Sequence, residues 1–283
     1  MQRTISAMVG KGSVNHNSRK FRAENVDGTR THLNIDYCNE NIKTVYHELF
    51  DEALERYNAK QTRSDRKIKD YYEKIRSSKQ EKPFREIILQ VGGKGNMNAD
   101  TENGDLAKQV LNEYYQGFQE RNPQLRVFSA HLHMDEATPH LHIDFVPFTT
   151  GSKRGLDTRV SLKQALATQG FKGGSRGDTE WSQWVQSEKE QLAAVMERYG
   201  IEWEHKGTHE KHLSVLDYKK QEREKEVAVL GAKIEQKQVE LESLSNRVLN
   251  YDKAKDELSN LEFELDTAPK YQLPEPEKFM SAK

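Results

Sequence analysis

The chain has 283 residues, a length that fits one or two domains, and its 44 basic and 45 acidic residues give a formal net charge of -1. That balance excludes a uniformly basic nucleic-acid-binding protein. The charge is nevertheless uneven: residues 1–176 contain 28 Lys/Arg and 22 Asp/Glu, whereas residues 177–283 contain 16 and 23. This asymmetry favours a front part that faces a polyanion and a separate acidic tail.

Cys38 is the only cysteine, which excludes a disulfide or a multi-thiolate metal site within one chain and fits a reducing compartment. No stretch approaches ~18 uninterrupted apolar residues, so we expect no spanning helix and no stable membrane insertion. The first residues, MQRTISAMVGKGS, have no apolar signal-peptide core. We therefore expect a cytoplasmic protein.

The hydrophobic pattern predicts strands and helices in mixed order. The predicted strands are 3–9, 31–37, 84–92, 125–134 and 139–148. The predicted helices are 42–57, 65–76, 104–121 and one that begins at the Asp178/Thr179 cap. Residues 10–19 and 151–177 are predicted loops, the second with a possible helical turn at 161–167. This order indicates an α+β domain.

The last part of the chain has the heptad pattern of a coiled coil. Nine of twelve seam positions are apolar: Val227, Leu230, Ile234, Leu241, Leu244, Val248, Tyr251, Leu258 and Leu265. The pattern predicts a helical arm that dimerises, recruits a partner or folds back, with the polar seam residue Lys237 setting its register. The polar, proline-bearing segment after Pro269 is predicted to be disordered.

The segment HLHMDEATPHLH, residues 131–142, concentrates four histidines on two predicted strands joined by a short turn. Alternate side chains of a strand share a face, so His131 and His133 point the same way, as do His140 and His142. Pairing of the strands would bring three or four imidazoles together. Neutral imidazole binds divalent transition metals, and three histidine ligands leave positions open, as in a catalytic site.

The string H-x-D-E-x-T-P-H-x-H at 133–142 resembles the third motif of the MobV (Mob/Pre) plasmid mobilization and recombination relaxases, of the HUH endonuclease superfamily. The resemblance implies one Mn²⁺ or Mg²⁺ ion bound by His133, His140 and His142. His131 precedes the motif and is expected to be a substitute ligand, a group that supports a ligand, or only a neighbour on the same face. The implied fold is an HUH-type antiparallel sheet with helices on one face.

His16-Asn17-Ser18-Arg19 is similar to the first motif of that family, H-N-x-R. The resemblance implies that His16 attacks the scissile phosphorus and forms a phosphoramidate bond, and that Asn17 contacts DNA. Arg19 would bind a phosphate oxygen or hold the loop. Glu136 would orient a histidine or act as a base.

The family's second motif corresponds to His32-Leu33-Asn34-Ile35, in which Ile35 replaces the usual tyrosine. That departure leaves His16 as the preferred nucleophile and Tyr37 as the fallback. Asn34 is assigned to DNA binding with this motif.

Residues 151–176 contain six basic residues and one acidic residue, with five glycines. Such a loop directly after the histidine hairpin is expected to hold DNA across the site, although a flexible solvated loop is the alternative. The basic residues assigned to DNA binding are Lys153, Arg154, Arg159, Lys172 and Arg176.

By resemblance, residues 1–205 would be a relaxase domain; the heptad pattern predicts a helical arm over 206–268, and composition predicts a disordered tail over 269–283. The enzyme would nick one strand of plasmid or mobile-element origin-of-transfer DNA by transesterification, forming a covalent 5′-phosphoryl–protein adduct that starts conjugative mobilization. The alternatives are an HUH-type replication initiator, a non-enzymatic coiled-coil DNA-binding scaffold, and a metal enzyme acting on a small molecule. Expected partners are single-stranded or hairpin origin DNA, a second copy through the arm, and coupling or mobilization machinery.

Overall fold

The chain divides into two units, Met1–Gly207 and Thr208–Lys283. The structure is a computed structural model and describes residues 1–205 and 215–267. The predicted tail at 269–283 and the first residues of the predicted arm lie outside the described residues. Across the described ranges, no helix has the length and apolar character needed to span a membrane.

The first unit is a mixed α/β domain built on an antiparallel sheet. Its strands are β1 (Gln2–Arg3), β2 (Ile5–Val9), β3 (Ile35–Asn39), β4 (Arg85–Val91), β5 (Leu125–His133), β6 (His140–Thr149), β7 (Arg159–Val160) and β8 (Glu202–Trp203). Its α-helices are α1 (Val14–Asn17), α2 (Ile42–Ala59), α3 (Tyr71–Arg76), α4 (Glu102–Gln116), α5 (Phe118–Arg121), α6 (Leu162–Thr168) and α7 (Glu180–Arg198). Two 3-10 turns occupy Thr31–Leu33 and Ser64–Arg66.

The main sheet has the order β2-β4-β6-β5-β3, and β7 pairs with the end of β6. All neighbouring strands in it are antiparallel. The predicted hairpin is therefore confirmed: β5 and β6 pair side by side within the sheet. The short strands β1 and β8 pair in parallel outside it.

Helices pack on both faces of the sheet, so the expected arrangement with helices on one face is wrong. Leu141, Ile143 and Phe145 of β6 point into a core shared with α4, α5, α6 and α7. Val146 points to the other face, where it packs with residues of α2 and α3. Those two helices cover the apolar end of this face, because apolar surface gains most from removal from water. The polar end carries the histidines.

The predicted helix at 65–76 is helical only in part. Asn58 in α2 bonds the backbone of Ile68 twice, with its Oδ1 accepting from the N–H at 2.9 Å and its Nδ2 donating to the carbonyl at 2.8 Å. The Asp70 side chain then accepts from Glu73 N–H and caps α3. These contacts delay the start of the helix to Tyr71.

The second unit contains one helix, α8 (Val215–Thr267), of 53 residues. Each of its described side chains is exposed to solvent, including the apolar seam residues Ile234, Leu241 and Leu244. A helical arm is thus confirmed.

Candidate metal and nucleophile site

The β5–β6 pairing places four histidines on one face of the sheet. His131 lies opposite His142, and His133 opposite His140. The intervening Leu132 and Leu141 point into the apolar core on the opposite face. Alternation along the two strands therefore separates a histidine layer from the core, as the sequence predicted.

Three of these rings converge. The ring centroids of His133 and His142 are 4.7 Å apart, those of His140 and His142 are 4.9 Å apart, and those of His133 and His140 are 5.2 Å apart. His133 Nδ1 and His140 Nε2 face each other at 3.4 Å. His142 Nε2 is buried and has no hydrogen-bond partner among the described residues. In the part of the chain that the structure describes, His133 Nδ1, His140 Nε2 and His142 Nε2 therefore receive no hydrogen bond from an N–H or O–H group outside the three rings.

The second nitrogen of each ring is fixed by an acceptor. His142 Nδ1–H donates to Glu86 Oε1 at 2.6 Å, and His140 Nδ1–H donates to the Thr138 carbonyl at 2.8 Å. His133 Nε2–H donates to the carbonyl of Asn17 at 2.8 Å. A metal-binding histidine typically has its other N–H held in this way by a carboxylate or carbonyl. The donor set therefore fits a divalent cation.

The burial of these rings keeps them in the form that binds a metal. Burial, together with the neighbouring His142 and His140 rings, lowers the pKa of His133 far below its usual value. Burial also lowers the pKa of His142 to about 4, although its hydrogen bond to Glu86 counteracts the shift. Both imidazoles are therefore neutral near pH 7, as metal binding requires.

Two overlapping groups of side chains could hold an ion. The first is His16, His133 and His142, and the second is His133, Glu136 and His140. In each group the ligand atoms lie within 4.8 Å of one another. Because the groups share His133, they describe one centre with His16 and Glu136 at its rim.

His16 lies beside this centre on the short helix α1. Its ring centroid is 5.9 Å from that of His133 and 6.2 Å from that of His142. Its Nε2 is 3.4 Å from Glu136 Oε1, and its side chain is 21% exposed. A partly open imidazole thus lies next to the two buried imidazoles of His133 and His142.

Arg19 fixes the loop that carries His16. Its guanidinium donates two hydrogen bonds to the buried Asp135 carboxylate, at 2.9 and 2.5 Å, and one to Glu136 at 2.9 Å. Its Nη1 also donates to the His16 carbonyl at 3.1 Å. The backbone of Arg19 has φ +56°, in the left-handed region that costs a non-glycine residue energy. Of its two predicted roles, these contacts support holding the loop.

Glu136 is the carboxylate that borders the histidine rings. Its Oε1 is 3.8 Å from His140 Nε2 and 3.9 Å from His133 Nδ1. Burial alone would raise the pKa of this carboxyl, but hydrogen bonds from His16 and Arg19 hold the pKa well below its usual range. Glu136 is therefore a negatively charged acceptor at neutral pH.

Sequence reasoning missed two carboxylates beneath the site. Glu86 on β4 accepts from His142, from Gly12 N–H at 2.7 Å and from Asn17 Nδ2 at 2.8 Å. Asp144 on β6 accepts from Asn17 Nδ2 at 2.9 Å, and burial, with the nearby charge of Glu86, raises the pKa of Asp144 to about 7. The available signal was a single acidic residue in each of the two strands.

The two asparagines assigned to DNA are used inside the protein. Asn17 is 1% exposed and its amide bonds both Glu86 and Asp144, so it has no free surface for a nucleotide. Asn34 donates to Asp135 Oδ2 at 2.9 Å and accepts from Met134 N–H at 2.7 Å. Both side chains hold loops against the hairpin, and their predicted contacts with DNA stay predictions.

Of two other candidates, His131 has its ring centroid 6.3 Å from that of His133, whereas Tyr37 lies apart from the histidines. His131 is fully buried, and its Nδ1–H donates to Asp36 at 2.6 Å. Tyr37 packs on the helical face: its ring stacks on Tyr115 at 4.0 Å and its hydroxyl donates to Asn112 of α4 at 2.8 Å. Burial raises the pKa of Tyr37 above its usual value, which disfavours the phenolate.

The basic loop is not beside the histidines. Arg159 on β7 pairs with Thr149 at the far end of β6, seven residues and roughly 23 Å along the strand from His142. Lys153 and Arg154 lie in the connection to β7. Lys172 and Arg176 precede α7, beside Phe171, which packs against the helical core on the opposite face. The assignment of this loop to DNA binding stays a prediction.

The chain was compared with known proteins. Residues 13–220 match the family model described as plasmid recombination enzyme. The plasmid recombination enzyme type 3 of Staphylococcus aureus is 28% identical over 158 residues, which are 54% of this chain and 33% of that protein. The type 2 enzyme of Staphylococcus aureus strain Mu50 is 25% identical over 238 residues, 78% of this chain and 44% of that protein. The chain thus spans less than half the length of these relatives.

Among solved structures, the chain is similar to the MobM relaxase domain bound to plasmid pMV158 oriT DNA, in a Mn-bound crystal structure. The identity is 21% and the TM-score 0.45, over 77% of this chain and 98% of that one. A second Mn-bound crystal structure of the same complex, at pH 4.6, gives 20% identity and a TM-score of 0.46.

Proposed function

Since the chain belongs to the plasmid recombination enzyme family, we propose that it is a relaxase of HUH type, which nicks one strand of origin-of-transfer DNA by metal-dependent transesterification. The observation that carries the proposal is the position of the His16 ring, 5.9 Å from that of His133 and 6.2 Å from that of His142, in a group whose ligand atoms lie within 4.8 Å of one another. A nucleophile next to a phosphate-polarising ion is what such a reaction needs.

His133, His140 and His142 would bind the ion. Mn²⁺ or Mg²⁺ would stabilise the negative charge that develops on the non-bridging oxygens of the scissile phosphate. Glu86, Thr138 and Asn17 accept hydrogen bonds from the other N–H groups of these rings. These bonds fix the ring orientations, so that the remaining nitrogens are available to the ion. Neither Glu86 nor Asn17 needs to touch DNA for this role.

His16 would attack the phosphorus. His16 Nε2 lies 3.3 Å from Arg19 Nη1 and 3.4 Å from Glu136 Oε1, and the ring nitrogen that carries the lone pair forms the N–P bond as the bond from phosphorus to the 3′ oxygen breaks. Glu136 accepts the imidazole proton and passes it through water to the departing 3′ oxygen, which becomes a hydroxyl. The products are a 5′-phosphoryl–His16 adduct and a free 3′-OH, and the reverse attack of that hydroxyl religates the strand.

The test is adduct formation. The full chain is incubated with Mn²⁺ and 3′-labelled single-stranded DNA from the origin of the element that encodes it, and the labelled protein is mapped by mass spectrometry. His16→Ala should form no adduct, whereas His47→Ala, an exposed histidine on α2, should match the parent. An equal adduct yield from His16→Ala would overturn the assignment of the nucleophile. Cleavage of a replication origin instead would favour an initiator.

We propose that the arm, α8, is a dimerisation element. The seam of α8 leaves apolar side chains exposed along the helix in the single chain, and burial of such a stripe in a coiled coil would stabilise a homodimer. We propose the cytoplasm as its location, because plasmid DNA is there, and coupling or mobilization machinery as its further partners.

A further inference from the structure

The loop that follows the nucleophile presents an aromatic side chain between two cations. Lys20, Phe21 and Arg22 are all exposed, and Phe21 is exposed to 60%. A single exposed apolar residue is ordinary on a protein surface. The position of Phe21 and the charge around it distinguish this residue.

Phe21 is fixed close to His16. Its N–H donates to the Asn15 carbonyl at 2.9 Å, which folds the loop back onto α1. Standard backbone dimensions then limit the distance between the Phe21 and His16 Cα atoms to roughly 11 Å at most. Arg19, two residues before Phe21, is held by its hydrogen bond to Asp135. The aromatic ring therefore sits on a braced loop next to the proposed point of cleavage.

The charge around Phe21 is positive. Residues 10–22 contain four basic residues and no acidic one. Arg19 is neutralised by its carboxylate partners, but no ion pair joins Lys20 or Arg22 to another residue in the ranges 1–205 and 215–267. A Cβ built on Gly28 would lie 3.2 Å from Arg22 Nη1, so this guanidinium lies against the turn at Gly28.

We propose that Lys20, Phe21 and Arg22 form a stacking platform for single-stranded DNA. A base next to the scissile phosphate stacks on the Phe21 ring, and Lys20 and Arg22 contact the flanking phosphates. Every base has a face that can stack on an aromatic ring, and a single strand exposes that face whereas a duplex hides it. The platform therefore favours the single-stranded form of the substrate. This inference rests on the proposed function and adds the residues that hold the strand.

The test is binding without cleavage. The full chain carrying His16→Ala is titrated into a fluorescein-labelled oligodeoxythymidine, and fluorescence anisotropy gives the dissociation constant. Adding Phe21→Ala should weaken binding by roughly 5- to 150-fold, and Phe21→Tyr should restore it. Phe263→Ala, an exposed phenylalanine on α8, is the matched control and should bind like the parent. Replacing Lys20 and Arg22 by Ser should make the log–log salt dependence shallower by about 0.7 per lost phosphate contact.

The outcomes separate the platform from the nicking activity. If Phe21→Ala binds as tightly as its parent, or if Phe21→Leu does, the ring does not stack on bases and the platform is refuted even where the parent nicks DNA. If Phe21→Ala loses binding but the parent with intact His16 nicks no origin DNA, the platform stands and the proposed function fails. No binding of the oligonucleotide by any form overturns the platform.

Discussion

His142 and Glu86, on the neighbouring strands β6 and β4, share a hydrogen bond of 2.6 Å from Nδ1–H to Oε1. This bond fixes the His142 tautomer and leaves the buried Nε2 free. Glu86 also accepts from Gly12 and Asn17, which flank His16 in the chain. One carboxylate therefore positions a metal ligand and the loop of the nucleophile together.

Glu86→Gln should weaken Mn²⁺ binding by about 10- to 100-fold, because the neutral amide holds the imidazole less firmly and supports its basicity less. Isothermal titration calorimetry with Mn²⁺ measures the change. Glu113→Gln removes an exposed carboxylate that pairs with Arg198 and should leave the affinity unchanged. Equal affinities for Glu86→Gln and the parent would contradict the role of this hydrogen bond.

Only substitutions of the metal-binding histidines should remove the stabilisation of the fold by Mn²⁺. Mn²⁺ at about one hundred times its dissociation constant should stabilise the parent by ~2.7 kcal/mol against unfolding. His140→Ala should abolish the rise in melting temperature, and His47→Ala should retain it. His16→Ala should also retain it if His16 is the nucleophile; loss of the metal effect in His16→Ala would instead make His16 a ligand, as its proximity to His133 and His142 permits.

Arg19→Ala should lower the free energy of unfolding by about 3 kcal/mol, at the lower end for a broken buried ion pair, because Asp135 keeps hydrogen bonds from Thr31 and Asn34. The Arg19 side chain is only 8% exposed and that of Asp135 is fully buried. Urea denaturation measures the loss. Arg56→Ala breaks an exposed bidentate pair with Asp157 and should cost far less. Similar losses in the two variants would show that the Arg19 pair does not stabilise the fold.

Tyr37→Phe should form the covalent adduct as the parent does. The Tyr37 hydroxyl bonds Asn112 on the helical face, away from the histidine layer, so its removal leaves the reacting groups in place. Adduct yield on a denaturing gel is the measurement. Loss of the adduct with the fold intact by circular dichroism would restore the tyrosine to the mechanism.

The arm predicts a seam-dependent dimer. Replacing Ile234 and Leu241 by Lys should dissociate the dimer in sedimentation equilibrium, because charges at seam positions remove the apolar contact. Val239→Lys changes an equally exposed apolar residue outside the seam and should leave the dimer intact. A monomeric parent chain would refute the dimer itself.

Local pattern was enough to predict much of this protein. The alternation of β5 and β6 with the short turn between them determined that His133, His140 and His142 share a face, because side-chain direction in a strand has a period of two. The heptad spacing determined the helical arm. The Asp178/Thr179 cap likewise marked the start of α7, where Thr179 is the N-cap residue.

Contacts distant in sequence decided the rest. Glu86 approaches His142 only through the β4–β6 pairing, and Arg19 meets Asp135 across 116 positions of the chain. Conversely, the basic residues 151–159 are near the hairpin in sequence but at the opposite end of β6, since an extended strand separates its ends by its full length. Sequence determined the ligand types and their shared face. Strand order and loop docking, which depend on burial between remote segments, decided which groups surround them.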